Sequence, residues 1–325
     1  MDAILAALDQ LELGSPITAA NLTMYPLLLP KESAPGYLTL DEALAAGLAS
    51  VTEVSESGSV PELLVKNGAG KPVLILDGEE LVGAKQNRIV NLTILVAAQQ
   101  TLHIPVSCVE AGRWARRSRE FAAAGRAHYA TGRARKLEQV SCAMRAFGTR
   151  EADQGDVWQD IDEKSRRMKA GSATHAAAAM YERSRSKLDA FVEELEAVPR
   201  QAGAVFTING IVAGLDVFDS PATWRKSMRK LVQSFGLDAL DHAEARGHGG
   251  ASEGGSDAKP QPEVFLSALK QASRDRFPAI GVGEDVRIAG DSIVGGGLLV
   301  DGKVVHLVAF PASAPRRATS PAPRA

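Results

Sequence analysis

Carboxylates, amides, an ammonium and a guanidinium crowd into one short run, Asp77-Gly78-Glu79-Glu80-Leu81-Val82-Gly83-Ala84-Lys85-Gln86-Asn87-Arg88-Ile89-Val90-Asn91. Such a run offers carboxylates for proton transfer, two cations for an anion, and amides that both donate and accept. Glu80 is the candidate acid or base. Glu79, Lys85, Gln86, Asn87, Arg88 and Asn91 are candidate ligand contacts. On an extended strand Lys85, Asn87 and Ile89 share one face while Gln86, Arg88 and Val90 share the other, so both faces cannot be core. The run therefore reads either as a strand end lining a cleft or as a hairpin whose polar side chains form a buried network.

A second cluster, Ser107-Cys108-Val109-Glu110-Ala111-Gly112-Arg113-Trp114, ends an apolar strand with a thiol, a carboxylate, a guanidinium and an indole. Arg113 suits a bidentate clamp on phosphate or carboxylate, Trp114 suits stacking on a ring, and Glu110 joins Glu80 as a candidate proton carrier. Cys108 has no histidine beside it in sequence and reads as a small buried residue. Asn209 and the strand-end carboxylate Asp216 complete the candidate set. His306, within Val304-Val305-His306-Leu307-Val308, reads as a core or edge histidine. Neither GxxxxGK[ST], GxGxxG after a strand, HExxH nor GxSxG occurs, and no cysteine or histidine spacing suits a transition metal. No cofactor is indicated.

The elements that must position these side chains give an α+β fold. Val60–Val65, Val73–Leu76, Ile89–Leu95 and Leu102–Cys108 are rich in strand formers, with Asn67-Gly68 and Asp77-Gly78 as turns. The N-terminal half is thus β-rich and antiparallel, apart from an opening amphipathic helix and a short helix over 40–48. Between Arg113 and Val198 the apolar period becomes helical. A hairpin about Asn209-Gly210 follows, then a helix opened by Ser220-Pro221. The spacing places a main domain over 1–244, a Gly-rich linker over 245–262, and a helix and hairpin over 263–311 that pack back on the main body. Residues 312–325 read as a disordered tail.

The chain has 325 residues, 45% of them hydrophobic and 23% charged, and a formal net charge of -2, values of a globular protein with no global attraction to nucleic acid or anionic membrane. Residues 113–150 are locally basic. They hold ten arginines and lysines against Glu120 and Glu138, a pattern that RNA binding would require on one continuous face. Two cysteines, no basic leader and no apolar run of membrane-spanning length fit a cytoplasmic protein.

Taken together, GEELVGAKQNRIVN (78–91), SCVEAGRW (107–114), the stretch Lys136–Val140 and NGIVAGLDVFDSPATW (209–224) resemble the ARG and rhodanese-phosphatase-superfamily-associated protein family over roughly residues 17–242. The resemblance implies association with ADP-ribosylglycohydrolase or phosphatase-type proteins and a place in NAD or ADP-ribose metabolism; it carries no reaction. The expected function is binding of a small anionic molecule, a nucleotide or ADP-ribose derivative, with hydrolysis or group transfer. Lys85, Arg88 and Arg113 would hold the anion, Trp114 would stack, Glu80, Glu110 or Asp216 would act chemically, and these side chains would line one pocket. The competing reading is a non-catalytic binding or scaffold module that partners an ADP-ribose-processing enzyme.

Overall fold

A computed structural model of the chain describes residues 2–55, 61–115, 118–246 and 261–312. Its largest sheet has nine strands. In spatial order eight of them are Glu12–Leu13, Leu22–Leu28, Gln201–Ile208, Ile211–Phe218, Lys303–Pro311, Ile293–Val300, Glu284–Ala289 and Ser273–Pro278; Ile17–Ala19 pairs beside Leu22–Leu28. The C-terminal strands join this sheet directly, because Lys303–Pro311 lies antiparallel to Ile211–Phe218. A six-stranded sheet holds the polar run, in the order Phe121–Ala127, Glu79–Gly83, Arg88–Val90, Thr101–Cys108, Glu62–Asn67 and Ala49–Glu53.

The two long hairpins form where turn chemistry demands them. Asn209 and Gly210 have φ of 53° and 78°, and Asp301 and Gly302 have 50° and 73°, so each loop has both central residues left-handed, as a type I′ turn requires. The strands flanking both turns are buried on both faces over most of their length. The helix Pro221–Arg246 crosses Gln201–Ile208 and packs also on Phe121–Ala127, joining the two sheets through a core in which Trp224, Phe206, Phe235 and Phe310 are fully buried. Phe206 stacks on Phe235 with ring centroids 4.2 Å apart.

Several local expectations change. Asp77-Gly78 turns the chain between strands that do not pair with one another: Val73–Ile75 belongs to a small three-stranded sheet, where its pairing with Leu38–Thr39 is parallel. Gly78 has φ 76°, and a Cβ there would stand 2.8 Å from Arg133 Cγ, so the turn lets the helix Ala130–Phe147 bring Arg133 against the backbone. The expected strand over 89–95 splits into Arg88–Val90 and Ile94–Val96, and the expected helical stretch contains the strand Phe121–Ala127. That Ala-rich segment has neither helical nor strand periodicity, and its pairing with Glu79–Gly83 decides its conformation. Strand Ser273–Pro278 likewise follows directly on the helix Gln261–Gln271. Most of the Gly-rich stretch and of the C-terminal tail, residues 247–260 and 313–325, lies outside the described residues. No helix among the described residues is long and apolar enough to cross a membrane.

Candidate functional site

Strand register sorts the polar run. Glu80 lies opposite Ile89 and Leu81 opposite Arg88, and residues directly opposite share a face. Glu80 and Arg88 therefore point to opposite sides of the sheet. On the Arg88 side, Arg88 Nη1 donates to Gln86 Oε1 at 3.0 Å, and Gln86 Nε2 donates to the Glu110 carbonyl at 2.9 Å. Arg113 Nε donates to Glu110 Oε2 at 2.8 Å, and its Nη2 donates to Asn87 Oδ1 at 3.1 Å. Trp114, half exposed, has its ring centroid 5.2 Å from Lys85 Nζ and 5.8 Å from Arg88 Cζ. Lys85, Gln86, Asn87, Arg88, Glu110, Arg113 and Trp114 thus converge.

Their electrostatics are unequal. Arg113 also donates to the carbonyls of Gly83, Ala84 and Ala115, which with Glu110 and Asn87 occupies all five N–H groups of the fork. It is a strut, and its assignment as the anion clamp is corrected on that ground. Burial pushes the Glu110 carboxyl up, but hydrogen bonds from Arg113 and Thr174 and the Arg113 charge outweigh it, and the group lies below the ordinary carboxylate range. Arg88 differs: it is fully buried, and its Nε and Nη2 have no hydrogen-bond partner. Burial also pushes the Cys108 thiol up to about 11, against the opposing charge of Arg88, so Cys108 is an inert core thiol.

The expectation of one pocket for all the candidates fails for the rest. Glu79 accepts from Leu76 N at 3.0 Å and forms an ion pair with Lys230, which reaches Asp41 at 2.6 Å. Asn91 accepts from Ser107 Oγ and donates to the Arg150 carbonyl. Asn209 sits at its hairpin turn on the rim of a separate cleft. Glu80 holds Arg126 bidentately, at 2.6 and 3.0 Å, with the guanidinium 5.1 Å from the Tyr181 ring centroid. Glu80→Gln is therefore expected to lower stability by about 1 to 3 kcal/mol in urea melts, discounted because Arg126 is partly exposed. Ligand affinity at the Arg88 cluster should stay unchanged. An unaltered melt would show that this pair contributes nothing.

Asp216 enters a closed buried circuit. Arg133 donates to its two oxygens at 3.0 and 2.6 Å and turns Nε to Asp77 at 3.2 Å. His306 Nε2 meets Asp216 Oδ1 at 3.1 Å, His306 Nδ1 meets Thr93 Oγ1 at 2.7 Å, and Thr93 Oγ1 accepts from Asp77 N at 3.1 Å. The Asp216 carboxylate can only accept, so its hydrogen bond places a proton on His306 Nε2; in that tautomer Nδ1 is the acceptor and takes the Thr93 hydroxyl hydrogen. Burial raises the Asp216 carboxyl, but the Arg133 charge and the His306 bond win and hold it low. Lys136 joins the circuit with an ion pair to Asp77 and bonds to the Val90 and Asn91 carbonyls at 2.7 and 2.9 Å.

Several of these partners fall within the basic stretch. Arg113, Arg126, Arg133, Arg135 and Lys136 pair with Glu110, Glu80, Asp77, Asp216 and Asp160. Arg116 and Arg117 lie outside the described residues. Among the described residues the stretch thus commits much of its charge to carboxylate partners, which argues against the continuous basic face that RNA binding needs. Among the described residues no group of three or more His, Cys, Asp or Glu side chains is placed to hold a metal.

The model of the ARG and Rhodanese-Phosphatase-superfamily-associated Protein domain matches residues 10–310. The chain belongs to this family. The match runs from near the first strand through the last, so the C-terminal hairpin is part of the family domain, as its place in the nine-stranded sheet requires. No curated protein and no solved structure shows a significant match.

Proposed function

We propose that this family member binds a small anionic, ring-bearing molecule, of nucleotide or ADP-ribose type, at Arg88 beside Trp114. The observation that carries the reading is the buried Arg88 guanidinium, with one bonded nitrogen and two unpartnered ones. Buried N–H groups without partners are unfavourable, and the oxygens of an anionic ligand would satisfy them. The half-exposed Trp114 indole next to it offers a stacking surface. The family's recorded association with ARG and rhodanese-phosphatase proteins supports a ligand of this class.

The proposal is of binding, the role of a module that partners an ADP-ribose-processing enzyme. Glu80, Glu110 and Asp216 are each held by an arginine, so none is proposed as a proton carrier.

Thermal melts of wild type and Arg88→Met with ADP-ribose, NAD or inorganic phosphate test the reading. A ligand at a hundred times its Kd stabilises the wild type by about 2.7 kcal/mol. Arg88→Met should lose that shift yet, without ligand, match or exceed wild-type stability, because it removes buried N–H groups that have no hydrogen-bond partner. An equal ligand shift in both proteins, or no shift with any of the three, would overturn the proposal.

A further inference from the structure

The six-stranded sheet closes on itself. Thr52, in its last strand, bridges antiparallel to Glu120, which leads into its first strand Phe121–Ala127. Register then fixes which side chains turn inward. Arg88 lies opposite Leu81 and Cys108, Val90 opposite Val106, Ile104 opposite Leu63, and Leu63 opposite Glu53. Residues directly opposite share a face, as do alternate residues of one strand, so Glu53 and Arg88 stand on the same face. That face is the inside of the closed sheet, where Leu63, Leu81, Val90, Ile104, Val106 and Phe121 belong to one buried apolar cluster.

The antiparallel order also brings both charges to one end. Glu53 and Cys108 end their strands and Arg88 begins its own, while Lys85, Gln86, Asn87, Glu110, Arg113 and Trp114 lie in the connections at that same end. The Arg88 cluster is therefore the mouth of a small barrel, a usual place for a ligand site.

At this mouth Glu53 mirrors Arg88. It is 8% exposed, its Oε1 accepts from Lys85 N at 3.4 Å, and its Oε2 has no hydrogen-bond partner, while Arg88 leaves Nε and Nη2 unpartnered. Among the described residues no ion pair joins the two. The Cys108 thiol, raised first of all by burial, feels both charges, Arg88 lowering its pKa and Glu53 raising it. Two opposite, buried and incompletely bonded groups thus face one apolar interior without meeting. A bare phosphate would satisfy Arg88 and be repelled by Glu53. A molecule that satisfies both needs acceptor oxygens at one point and a hydrogen-bond donor at another.

We infer that Glu53 reads the sugar of the nucleotide-type ligand, accepting from a ribose hydroxyl while Arg88 holds the phosphate; the assignment rests on the Arg88 reading and deepens it. It suits the order of groups in a nucleotide, whose ribose lies between the phosphate and the ring that stacks on Trp114. A carboxylate is a strong acceptor for a ribose hydroxyl and a poor neighbour for phosphate, so the site prefers a ribosyl phosphate to inorganic phosphate or to a deoxy sugar.

Calorimetry on the full chain, with ADP-ribose, ADP and 2′,3′-dideoxy-ADP as probes, tests the assignment. Wild type should bind ADP at least about tenfold more tightly than the dideoxy analogue, the scale of a hydrogen bond to a charged group. Glu53→Met removes the acceptor and keeps apolar bulk. It should bind ADP and the analogue within about twofold of each other, with the analogue bound no less tightly than by wild type. Loss of ADP-ribose binding in Arg88→Met tests the Arg88 reading by itself. Equal wild-type binding of ADP and its analogue, failure of ADP to bind where ADP-ribose does, or a preference for ADP that survives Glu53→Met would overturn the role of Glu53 and leave the Arg88 reading standing. No ADP-ribose binding up to about 10 mM, or binding indifferent to Arg88→Met, would remove both. The wild-type comparison needs no variant, so a poorly folded Glu53→Met leaves the inference open to refutation.

Discussion

Arg133→Met is expected to destabilise the protein by roughly 3 to 5 kcal/mol at neutral pH, a large part of the stability of an ordinary domain. Arg133 is fully buried and joins two carboxylates, Asp77 from the turn before Glu79–Gly83 and Asp216 from the strand Ile211–Phe218. Its guanidinium also lies 5.4 Å from the Phe310 ring centroid. Methionine keeps much of the length and apolar bulk, so the loss isolates the charge. Asp77 retains Lys136 and Asp216 retains His306, which argues against complete unfolding. The acid limb supplies a second readout. Asp216 has a folded pKa below its unfolded value. Its stabilising contribution is therefore present above the unfolded carboxylate range and is lost as pH falls through the folded value. Without Arg133 the folded value should rise, so that loss should begin at higher pH. Urea melts from pH 7 to pH 3 measure both effects; a loss under about 1 kcal/mol with an unmoved acid limb would refute the role of Arg133 as the central compensating charge.

The same residue shows how far the sequence is legible. Turn chemistry is local: Asn209-Gly210 and Asp301-Gly302 need only their own left-handed backbone, and both hairpins form where they are read. The polar density of 77–91 and 107–114 is also visible in one dimension, and Arg88, Gln86, Glu110 and Arg113 do meet. What decides the role of each charge is its partner, and those partners are distant. Glu80 meets Arg126, Glu79 meets Lys230, and Asp216 meets Arg133 and His306. No spacing rule joins such pairs. The basic stretch misleads for the same reason, since several of its charges answer carboxylates in other elements. His128 carried no signal at all, because its burial depends on Gly132, four residues later, lying over its ring.

Lys136→Met is expected to change the slope of stability against pH as well as its level. The ammonium is fully buried against Asp77 and the Val90 and Asn91 carbonyls, fastening the helix Ala130–Phe147 to the end of Arg88–Val90. Burial pulls its pKa down to about 8; Asp77 opposes that, while Arg133 and Arg287 assist it. In the unfolded chain a lysine keeps its proton to about 10.4. From about pH 8 to that value the unfolded state binds more protons than the folded one, so wild-type stability should rise with pH, by an amount on the order of 3 kcal/mol. Lys230 acts in the other direction. Although burial opposes it, Glu79 and Asp41 raise its folded pKa, so its contribution is complete below the ordinary lysine range and is lost only at higher pH. At pH 7 the methionine variant should be less stable by about 1 to 3 kcal/mol, since Asp77 keeps Arg133 but two buried carbonyls lose their donor. Between pH 8 and 10 the variant should lack the wild-type rise, because it has no group titrating there at this position. Urea melts of both proteins at successive pH values provide the comparison. Parallel curves would mean that Lys136 stays protonated through the whole range, held by its three acceptors, and would defeat the prediction.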